Sequence, residues 1–414
     1  MKHRLLLGIL FLGFWGCQPT APAPDQSTAW DRQTGTPSTN LTEACVADYD
    51  PAVDYFPDKV VLRYAERFRV SYHGHYKVLR ANVAGSEWGP DVSDTVVLVQ
   101  CGTPPPPLEG ELAGAALVEV PIRSLASNED GSIARAKELG YVDRVVGLAG
   151  GGIYDATLRQ RWEEGKLISV GESFHGAPNF EVLVANQSGV VFLFTSSLAH
   201  TEALDQGRAL GLATVPIVAW GEPTILGQAE WIKHTALFLN AEAEATAYFD
   251  GVAQRYLDLK EQVTAQPARP TAIWGGPLSQ GGRWWIEAGS WMAQALADAG
   301  AINPFSAQPG ETSISLSTEA VLEKATEATF WITEHVALET LGVAGPLETM
   351  PAFRTGSVYH IHKRAVPEHD AYDWYETALV RPDLVLQDLV SLFHPHLVPG
   401  HALFFLQQIR EAQP

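Results

Sequence analysis

The sequence predicts an α/β protein made of two similar lobes that one long helix joins, with a strand-rich addition in front of them. Three observations predict this fold. Alternating strand and helix patterns begin at Val118, a similar pattern recurs in the last third of the chain, and one continuous helical pattern separates the two. Strands separated by helices form right-handed βαβ units and a parallel sheet. We therefore expect two Rossmann-like lobes with central, mostly parallel sheets.

The first seventeen residues have the pattern of an export signal. Lys2 and Arg4 precede an apolar run over residues 5–15, which is shorter than the roughly 20 residues that span a bilayer but suits a signal peptide. The run ends in Gly16-Cys17, a pair that resembles a bacterial lipobox, although Phe14 departs from the usual Leu or Val. We expect residues 1–17 to be a lipoprotein signal peptide with Cys17 lipidated. A conventionally cleaved signal is the alternative.

Residues 18–44 are predicted to be a flexible tether. Residues 18–40 are rich in Pro, Ser, Thr and Gln and poor in aliphatic side chains, so they bury too little surface to offset chain entropy. A lipid anchor followed by a tether and a globular body is the arrangement of an exported protein. Such a protein works in the periplasm or on the outer face of the cytoplasmic membrane, and the anchor is its only contact with the membrane.

Two further cysteines, Cys45 and Cys101, follow the tether. An exported chain meets an oxidising environment, so a disulfide between them is expected, with two buried thiols as the alternative. The sequence has no CxxC motif and no Cys/His cluster that would indicate a metal site. The formal charge of -20 argues against nucleic-acid binding, which favours stripes of Lys and Arg.

Residues 45–117 are predicted to form the strand-rich addition. The segments "KVVLRY", "RFRVSYHGHYKVLRANV" and "DTVVLVQ" alternate Val, Tyr and Phe at period two, and His73-Gly74-His75 interrupts them as a turn. The proline run in "CGTPPPPLEG" ends this part of the sheet, since proline cannot continue a sheet interior.

The first α/β lobe is expected over residues 118–240. "VEVPIRSLA" and "VDRVVGLAG" have strand patterns, and between them Ile133, Ala136 and Leu139 lie on one face of a predicted helix that Gly140 ends. Residues 241–266 are predicted to be the connecting helix, because Val252, Tyr256 and Leu259 fall at helical spacing. A rigid helical connection favours small rocking of the lobes over a large hinge motion.

The second lobe is expected over residues 267–414. A helix-then-strand pattern in "PNFEVLVANQSGVVFLFTSS" recurs in "LSTEAVLEKATEATFWITEH", where Glu181 aligns with Glu319 and Phe192 with Phe330. Such a repeat favours a chain built from two similar lobes.

The order of several stretches resembles a known family. They are "PIRSLASNED", "PNFEVLVANQSGVVFLF", "TVPIVAWGEPTILGQAEWIKHTALFLNAEAEA", "WIEAGSWMAQALADAGAINPF", "MPAFRTGSVYHIHK" and "YDWYETALVRPDLVLQDLVSLFHPHL". Together they resemble the helical-backbone (class III) periplasmic solute-binding proteins of bacterial ABC importers, which include vitamin B12-binding and ferric-siderophore-binding receptors. The segment over residues 45–100 lies outside this resemblance.

The resemblance implies a receptor without catalytic activity or cofactor. It would capture an iron-siderophore, or a similar bulky chelate such as a corrinoid, in a cleft between the lobes. Aromatic side chains give such a ligand large, flat contacts at low entropic cost. Arg283 could bind a carboxylate or hydroxamate oxygen. The alternative for each aromatic residue is an ordinary core or rim position, and for Arg283 a solvated charge. The predicted ligand-binding residues are Tyr154, Phe194, Trp220, Arg283, Trp284, Trp285, Tyr372 and Trp374.

The resemblance also implies docking to an ABC permease dimer by a monomeric receptor. Receptors of this kind present an acidic residue on each lobe to arginines of the permease. Glu202 falls where the first is expected, and Asp298 lies one residue from the expected place of the second. The alternative is that both are ordinary surface carboxylates.

Two other functions stay open at this stage. An extracytoplasmic enzyme is one, because "GLAGGGIYD" resembles a phosphate-binding loop, although it lacks the GxGxxG and P-loop spacing. A haem or metal-ion receptor is the other, with structural histidines as its alternative. Haem would need an axial ligand in the cleft, such as Tyr154 or His175. Histidine pairs spaced i, i+2 occur at His73/His75, His360/His362 and His394/His396.

Overall fold

The computed structural model describes residues 30–83, 92–172, 177–278, 282–306, 313–337 and 347–409. The predicted lipidation site Cys17 and His175 lie outside these ranges. The strands are β1 Asp31–Gln33, β2 Ala44–Val46, β3 Phe68–Tyr72, β4 Tyr76–Val83, β5 Val92–Gln100, β6 Ala116–Val120, β7 Leu125–Ser127, β8 Val145–Leu148, β9 Ile168–Ser169, β10 Val190–Phe194, β11 Ala213–Ile217, β12 Ala272–Pro277, β13 Arg283–Glu287, β14 Ser313–Ser317, β15 Phe330–Thr333, β16 Val358–His360, β17 Ala365–Val366, β18 Ala371–Tyr372 and β19 Gln407–Gln408.

The helices connect and cover these strands. The α-helices are α1 Asp130–Glu138, α2 Ala156–Glu163, α3 Phe180–Ala185, α4 Leu198–Ala209, α5 Ile225–Glu230, α6 Ile232–Leu239, α7 Glu242–Thr264, α8 Trp291–Asp298, α9 Thr318–Lys324, α10 Pro351–Arg354 and α11 Pro382–Phe393. The short 3-10 helices are Gly110–Leu112, Val142–Arg144, Ala219–Gly221, Ala325–Glu327, Pro367–His369, Asp373–Tyr375, Thr377–Leu379 and Pro395–Leu397. No helix in the described part of the chain is both long enough and apolar enough to cross a membrane.

The predicted α/β fold with two sheet-centred lobes is confirmed. The first lobe has a five-stranded sheet in the order β11-β10-β7-β8-β9, and its strands pair in parallel. The second lobe has a six-stranded sheet in the order β14-β13-β12-β15-β16-β19, in which β12, β15 and β16 are parallel and the other three strands are antiparallel to their neighbours. The carboxyl ends of the parallel strands lie at one edge of each sheet.

The internal repeat corresponds to a helix–strand unit in each lobe. The helix α3 leads into β10 in the first lobe, and α9 leads into β15 in the second. In each unit the helix contributes a buried residue on its inner face, Leu183 and Val321, and the strand is largely buried. The pattern arises because a strand buried on both faces needs apolar residues throughout its length.

The long helix α7 connects the two lobes. It buries Phe249, Val252, Tyr256 and Leu259 on one face and packs against α6 of the first lobe and α11 near the end of the chain. Since one stripe of this helix belongs to the core of both lobes, the lobes share a single hydrophobic cluster.

The strand-rich addition forms a four-stranded sheet in the order β3-β4-β5-β6. Only its second and third predicted segments form strands. Residues 59–64, "KVVLRY", were expected to be a strand but form none. Their neighbourhood explains why. The carboxylate of Glu230 in the first lobe accepts hydrogen bonds from the backbone N–H groups of Arg63, Tyr64 and Ala65. These N–H groups therefore donate to a side chain and not to the carbonyls of a neighbouring strand.

The second half of the predicted tether, residues 30–44, is folded. The strand β1 pairs with β2, and Asn40 and Leu41 are buried. The Asn40 side chain donates to the Glu242 carboxylate at 2.7 Å, which ties this segment to the start of α7. Composition alone predicted a tether because it does not show these long-range partners.

A disulfide closes the addition on itself, and a buried ion pair fixes it to the body. The Sγ atoms of Cys45 and Cys101 are bonded at 2.03 Å, which is the pairing expected from the sequence. The Lys77 ammonium is fully buried and donates to Glu242 at 2.5 Å and to the Leu237 carbonyl at 2.7 Å. Burial lowers the pKa of Lys77, and the Glu242 carboxylate opposes this effect.

Candidate functional site

A cavity of about 530 Å³ opens at the carboxyl ends of β12, β15 and β16 in the second lobe. In sheets with parallel strands this edge is where ligands bind, because loops from several strands converge there. The described residues that line it are Trp274, Gly275, Gly276, Pro277, Leu278, Trp285, Glu287, Glu334, His335, Val336, His362 and Tyr372.

One wall of the cavity comes from β13, which folds back antiparallel on β12. Successive residues of a strand face opposite sides, so Trp285 and Glu287 reach the cavity while Trp284 faces the core. The indole Nε1 of Trp285 donates to Glu287 at 2.9 Å, and the other carboxylate oxygen accepts from the Ser313 hydroxyl at 2.8 Å. These bonds hold the ring and the carboxylate in place.

The opposite wall combines His362 and Tyr372, whose ring centroids lie 4.5 Å apart. The Tyr372 hydroxyl donates to Asp370 at 2.8 Å. Within the described residues, Nδ1 of His362 has no hydrogen-bond partner. Burial, with a smaller contribution from His360, lowers the pKa of His362 to about 4, so its imidazole is neutral at neutral pH.

The cavity is acidic. Glu287 and Glu334 both line it, and no lysine or arginine is among its described lining residues. Burial raises the pKa of Glu287. Partial removal from water, followed by the charge of Glu287, raises the pKa of Glu334. Two carboxylates in one partly dry site favour ligands that bring positive charge or hydrogen-bond donors.

The two lobes meet beside this cavity. The Glu376 carboxylate accepts the backbone N–H groups of Tyr154, and of Asp155 at 3.2 Å. A Cβ on Gly152 would lie 3.2 Å from the Asp370 carbonyl, so glycine allows the loop of the first lobe to approach the second closely. The Tyr154 ring also lies under the Arg364 guanidinium at 5.2 Å.

Buried carboxyl groups gather at this interface. Burial raises the pKa of Glu376 to about 8, with Asp130 and Asp373 adding to the effect and the Tyr154 N–H and Lys137 opposing it. Burial, followed by the charge of Glu129, raises the pKa of Asp130 to about 7. The contact between the lobes therefore contains groups that change charge near neutral pH.

The structure places two of the three predicted aromatic residues of the first lobe together, outside the described cavity lining. Phe194 and Trp220 lie at the ends of β10 and β11, with ring centroids 6.4 Å apart. The Trp220 indole donates to the Thr195 carbonyl at 2.9 Å, and the Phe194 N–H donates to the Asn128 amide oxygen at 2.8 Å. These bonds close the edge of the first sheet.

Three predicted binding residues have other roles. Trp284 is fully buried and packs on Trp331 with ring centroids 5.1 Å apart. Trp374 is 3% exposed and packs against Trp274 and Trp291. Arg283 is exposed, but its guanidinium donates to the Ser315 hydroxyl and carbonyl on β14. Burial contradicts the prediction for Trp284 and Trp374, because aromatic content in a loop does not tell a core position from a rim position. For Arg283, binding to a ligand oxygen stays a prediction.

The two predicted docking carboxylates differ. Glu202 is exposed on α4, as a docking residue requires. Asp298 is not free for a partner, because it accepts from the Tyr256 hydroxyl at 2.7 Å and pairs with Lys260 at 2.8 Å. This pair of contacts fastens α8 to α7, so the docking prediction for Asp298 was wrong.

The histidine pairs do not form metal sites in the described structure. His73 stacks on Tyr76, and His75 packs against Tyr49. His394 is buried at the end of α11. No group of three or more His, Cys, Asp or Glu is placed to hold a metal ion in the parts of the chain that the structure describes.

Sequence reasoning missed the acidic residues of the site. Glu334 directly follows the strand "FWIT". Asp130 is the first residue of α1 and lies shortly after the end of β7. Their positions at strand ends are a signal that could have found them, since functional side chains concentrate at this edge of a sheet. Glu376 gave no such signal, because its partner Tyr154 lies 222 positions away.

Two sheet-centred lobes joined by a long helix, with a cavity at the strand ends of the second lobe beside their contact, define a two-lobe binding protein. The family model "Periplasmic binding protein" matches residues 132–365, more than half of the chain. The chain belongs to this family.

Two relatives come from Methanocaldococcus jannaschii. The chain is 26% identical over 284 residues to the uncharacterised lipoprotein MJ0878, and the matched region covers 68% of this chain and 64% of that protein. The chain thus spans less than two thirds of this relative. It is 24% identical over 420 residues to the uncharacterised lipoprotein MJ0872, and this match covers 97% of both proteins.

Solved structures share the fold. A periplasmic haem-binding protein from Pseudomonas aeruginosa matches 70% of this chain and 99% of its own with a TM-score of 0.53 and 16% identity. A structure of an ABC-type Fe3+-hydroxamate transport system from Saccharomonospora viridis matches 66% of this chain and 93% of its own with a TM-score of 0.50 and 19% identity.

Proposed function

We propose that this protein is the substrate-binding component of an ABC importer, capturing an iron-siderophore or a similar bulky chelate such as a corrinoid and delivering it to the permease. The main support for this proposal is the cavity of about 530 Å³ at the strand ends of the second lobe, which has Trp285 and Tyr372 in its walls. A cavity of this size lined by aromatic rings suits a bulky, partly apolar ligand.

The comparisons support this proposal at the level of the family. Members bind solutes outside the cytoplasm, and two solved structures with this fold are a periplasmic haem-binding protein and an ABC-type Fe3+-hydroxamate transport system. Binding followed by release to a partner requires no chemical step, so we infer a receptor and not an enzyme.

We also propose that the chain is anchored by lipid at Cys17. The support is the Gly16-Cys17 pair after an apolar run and the lipoprotein names of both relatives. The test is metabolic labelling with palmitate in an expressing cell. The label should be lost in Cys17→Ser, and labelling that survives this substitution would contradict the anchor.

The ligand is tested by tryptophan fluorescence. The purified mature protein is titrated with ferric hydroxamate, catecholate and citrate complexes, haem and cobalamin. One of these chelates should quench emission saturably, because Trp285 lies in the cavity wall. A protein that responds to none of them would contradict the proposed function.

A haem receptor is the second candidate, favoured by one observation. His362 lines the cavity, its imidazole is neutral, and its Nδ1 has no hydrogen-bond partner among the described residues. A neutral imidazole is the form that serves as an axial ligand to haem iron. Haem binding would give a Soret shift that His362→Ala abolishes. A shift that is unchanged in this variant would place the axial ligand elsewhere.

A further inference from the structure

The cavity has an unusual balance of charge for a site that would hold an iron chelate. Its two ionisable acids, Glu287 and Glu334, are accompanied by His335 and His362 but by no lysine or arginine among the described lining residues. The lowered pKa of His362 leaves its ring without charge at neutral pH. The fixed charge that a ligand meets in the lining is therefore negative.

Two arginines of the second lobe outside the described lining, Arg283 and Arg364, already have partners of their own. Arg283 is committed to the Ser315 hydroxyl and carbonyl on β14, and lies outside the lining. Arg364 pairs with Asp373 and lies over the Phe404 ring at 4.2 Å. An anionic ligand in the cavity would thus find neither guanidinium free to receive it.

The carboxylates also differ in how tightly they are held. Glu287 is fixed by Trp285 and Ser313 through both of its oxygens, so it shapes the wall. Glu334 is exposed at the end of β15 and lines the cavity. Glu334 is the carboxylate that is free to meet a ligand.

We propose that this cavity selects its ligand by charge, accepting a bulky chelate of zero or positive net charge whose rim carries N–H donors and disfavouring anionic chelates, with Glu334 as the specificity-determining residue. The inference rests on the proposed function, since it names the ligand class of the same cavity. Ammonium or amide N–H groups on the ligand would donate to Glu334, whereas a carboxylate or catecholate rim would be repelled.

The test uses three ferric trihydroxamates that differ only at one terminus. Ferrioxamine B carries a terminal ammonium and a charge of +1, its N-acetyl derivative is neutral, and its N-succinyl derivative carries a charge of −1. Tryptophan quenching at low ionic strength should give affinities that fall in this order, with about a tenfold difference between the cation and the anion. Raising the salt concentration should narrow the difference.

Charge variants of the chain decide whether Glu334 is responsible. E334Q should bring the affinities of the three chelates closer together. E334K should reverse the order of affinities, so that the succinylated chelate binds most tightly. E323K is the matched control, because Glu323 is exposed on α9 and outside the cavity lining, and its order should equal that of the unmodified protein. Urea denaturation of each variant verifies folding.

The outcomes separate the two proposals. Binding of the anionic chelate as tightly as the cation, or an order that E334K leaves unchanged, would overturn the charge selection while leaving a chelate receptor in place. If the ferrioxamines do not bind, affinities are compared for an amide corrinoid and its hydrolysed carboxylate form, where the amide should bind more tightly. Failure of both series to bind would overturn the charge selection, and the proposed function would fall with it only if ferric catecholate, ferric citrate and haem also failed to bind.

Discussion

The two lobes contain the same helix–strand unit, yet their sheets end differently at the edge where they meet. In the first lobe, β10 ends in Phe194, and Trp220 lies in the 3-10 helix that follows β11. The two rings pack on each other, and the Phe194 N–H and the Trp220 indole N–H are bonded within the lobe. In the second lobe, the strand ends surround a cavity lined by Glu287 and Glu334. At Phe194 and Trp220 the first edge is closed by packed rings, whereas the second edge is open and acidic.

A local difference in connection explains the contrast. After β12 the second lobe continues with β13, which pairs antiparallel with it, and not with a helix that crosses to a parallel strand. This hairpin brings a strand with alternating residues to the edge, so every second side chain faces the cavity. The comparison locates the open, acidic edge in the second lobe, where we propose that the ligand is selected, and it can be tested at three places.

The largest effect is expected at two adjacent tryptophans of β13. Trp284→Ala should destabilise the protein by about 4 kcal/mol, because it leaves a cavity beside Trp331 in a core where Trp284 is fully buried. Trp285→Ala should cost much less stability but weaken ligand binding about tenfold or more, since it removes a cavity wall. Urea denaturation and fluorescence titration measure the two quantities.

Trp220→Ala supplies the comparison with the first lobe. It removes a ring of the closed edge that is not in the cavity lining, so the ligand affinity of the folded variant should change less than in Trp285→Ala. Equal losses of affinity at both positions would mean that the two edges contribute alike, and the contrast between the lobes would not hold.

The second effect is a pH dependence of stability at the contact between the lobes. The folded-state pKa of Glu376 is raised to about 8, and Asp130, Asp373 and Lys137 are the charged groups that act on it. The folded state thus keeps a proton that the unfolded chain releases at lower pH. Stability is fully present below the unfolded pKa and is lost as pH rises through the folded pKa. We expect a loss of roughly 3 kcal/mol between pH 5.5 and pH 8.5.

Glu376→Gln identifies the source of this dependence. The amide oxygen can still accept the Tyr154 N–H, while the amide NH2 replaces the oxygen that accepts from Asp155 at 3.2 Å. The variant should therefore fold with some loss of stability, and its stability should vary less with pH. Glu327→Gln, an exposed change in the second lobe, should retain the full dependence. A pH profile that is identical in Glu376→Gln and the unmodified protein would assign the effect to other groups.

Sequence patterns predicted the lobes, since alternating strands and helices with apolar spacing have few ways to pack. The alternation of residues along a strand could also have separated Trp284 from Trp285, but not shown which of them faces the cavity. The burial of Trp374 could not be predicted from the sequence, because it depends on packing against the distant residues Trp274 and Trp291. Such contacts between distant residues decide whether an aromatic side chain binds a ligand or fills a core.

The smallest effect distinguishes the two predicted docking carboxylates. Asp298→Asn should lower stability by about 1–2 kcal/mol, because Asp298 accepts from Tyr256 and pairs with Lys260 between α8 and α7. Glu202→Gln should change stability by less than about 0.5 kcal/mol, since Glu202 is exposed on α4. Urea denaturation at constant pH compares both with the unmodified protein. A Glu202→Gln variant as unstable as Asp298→Asn would show that Glu202 has a structural role, and the first lobe would then lack the free carboxylate that the docking proposal requires.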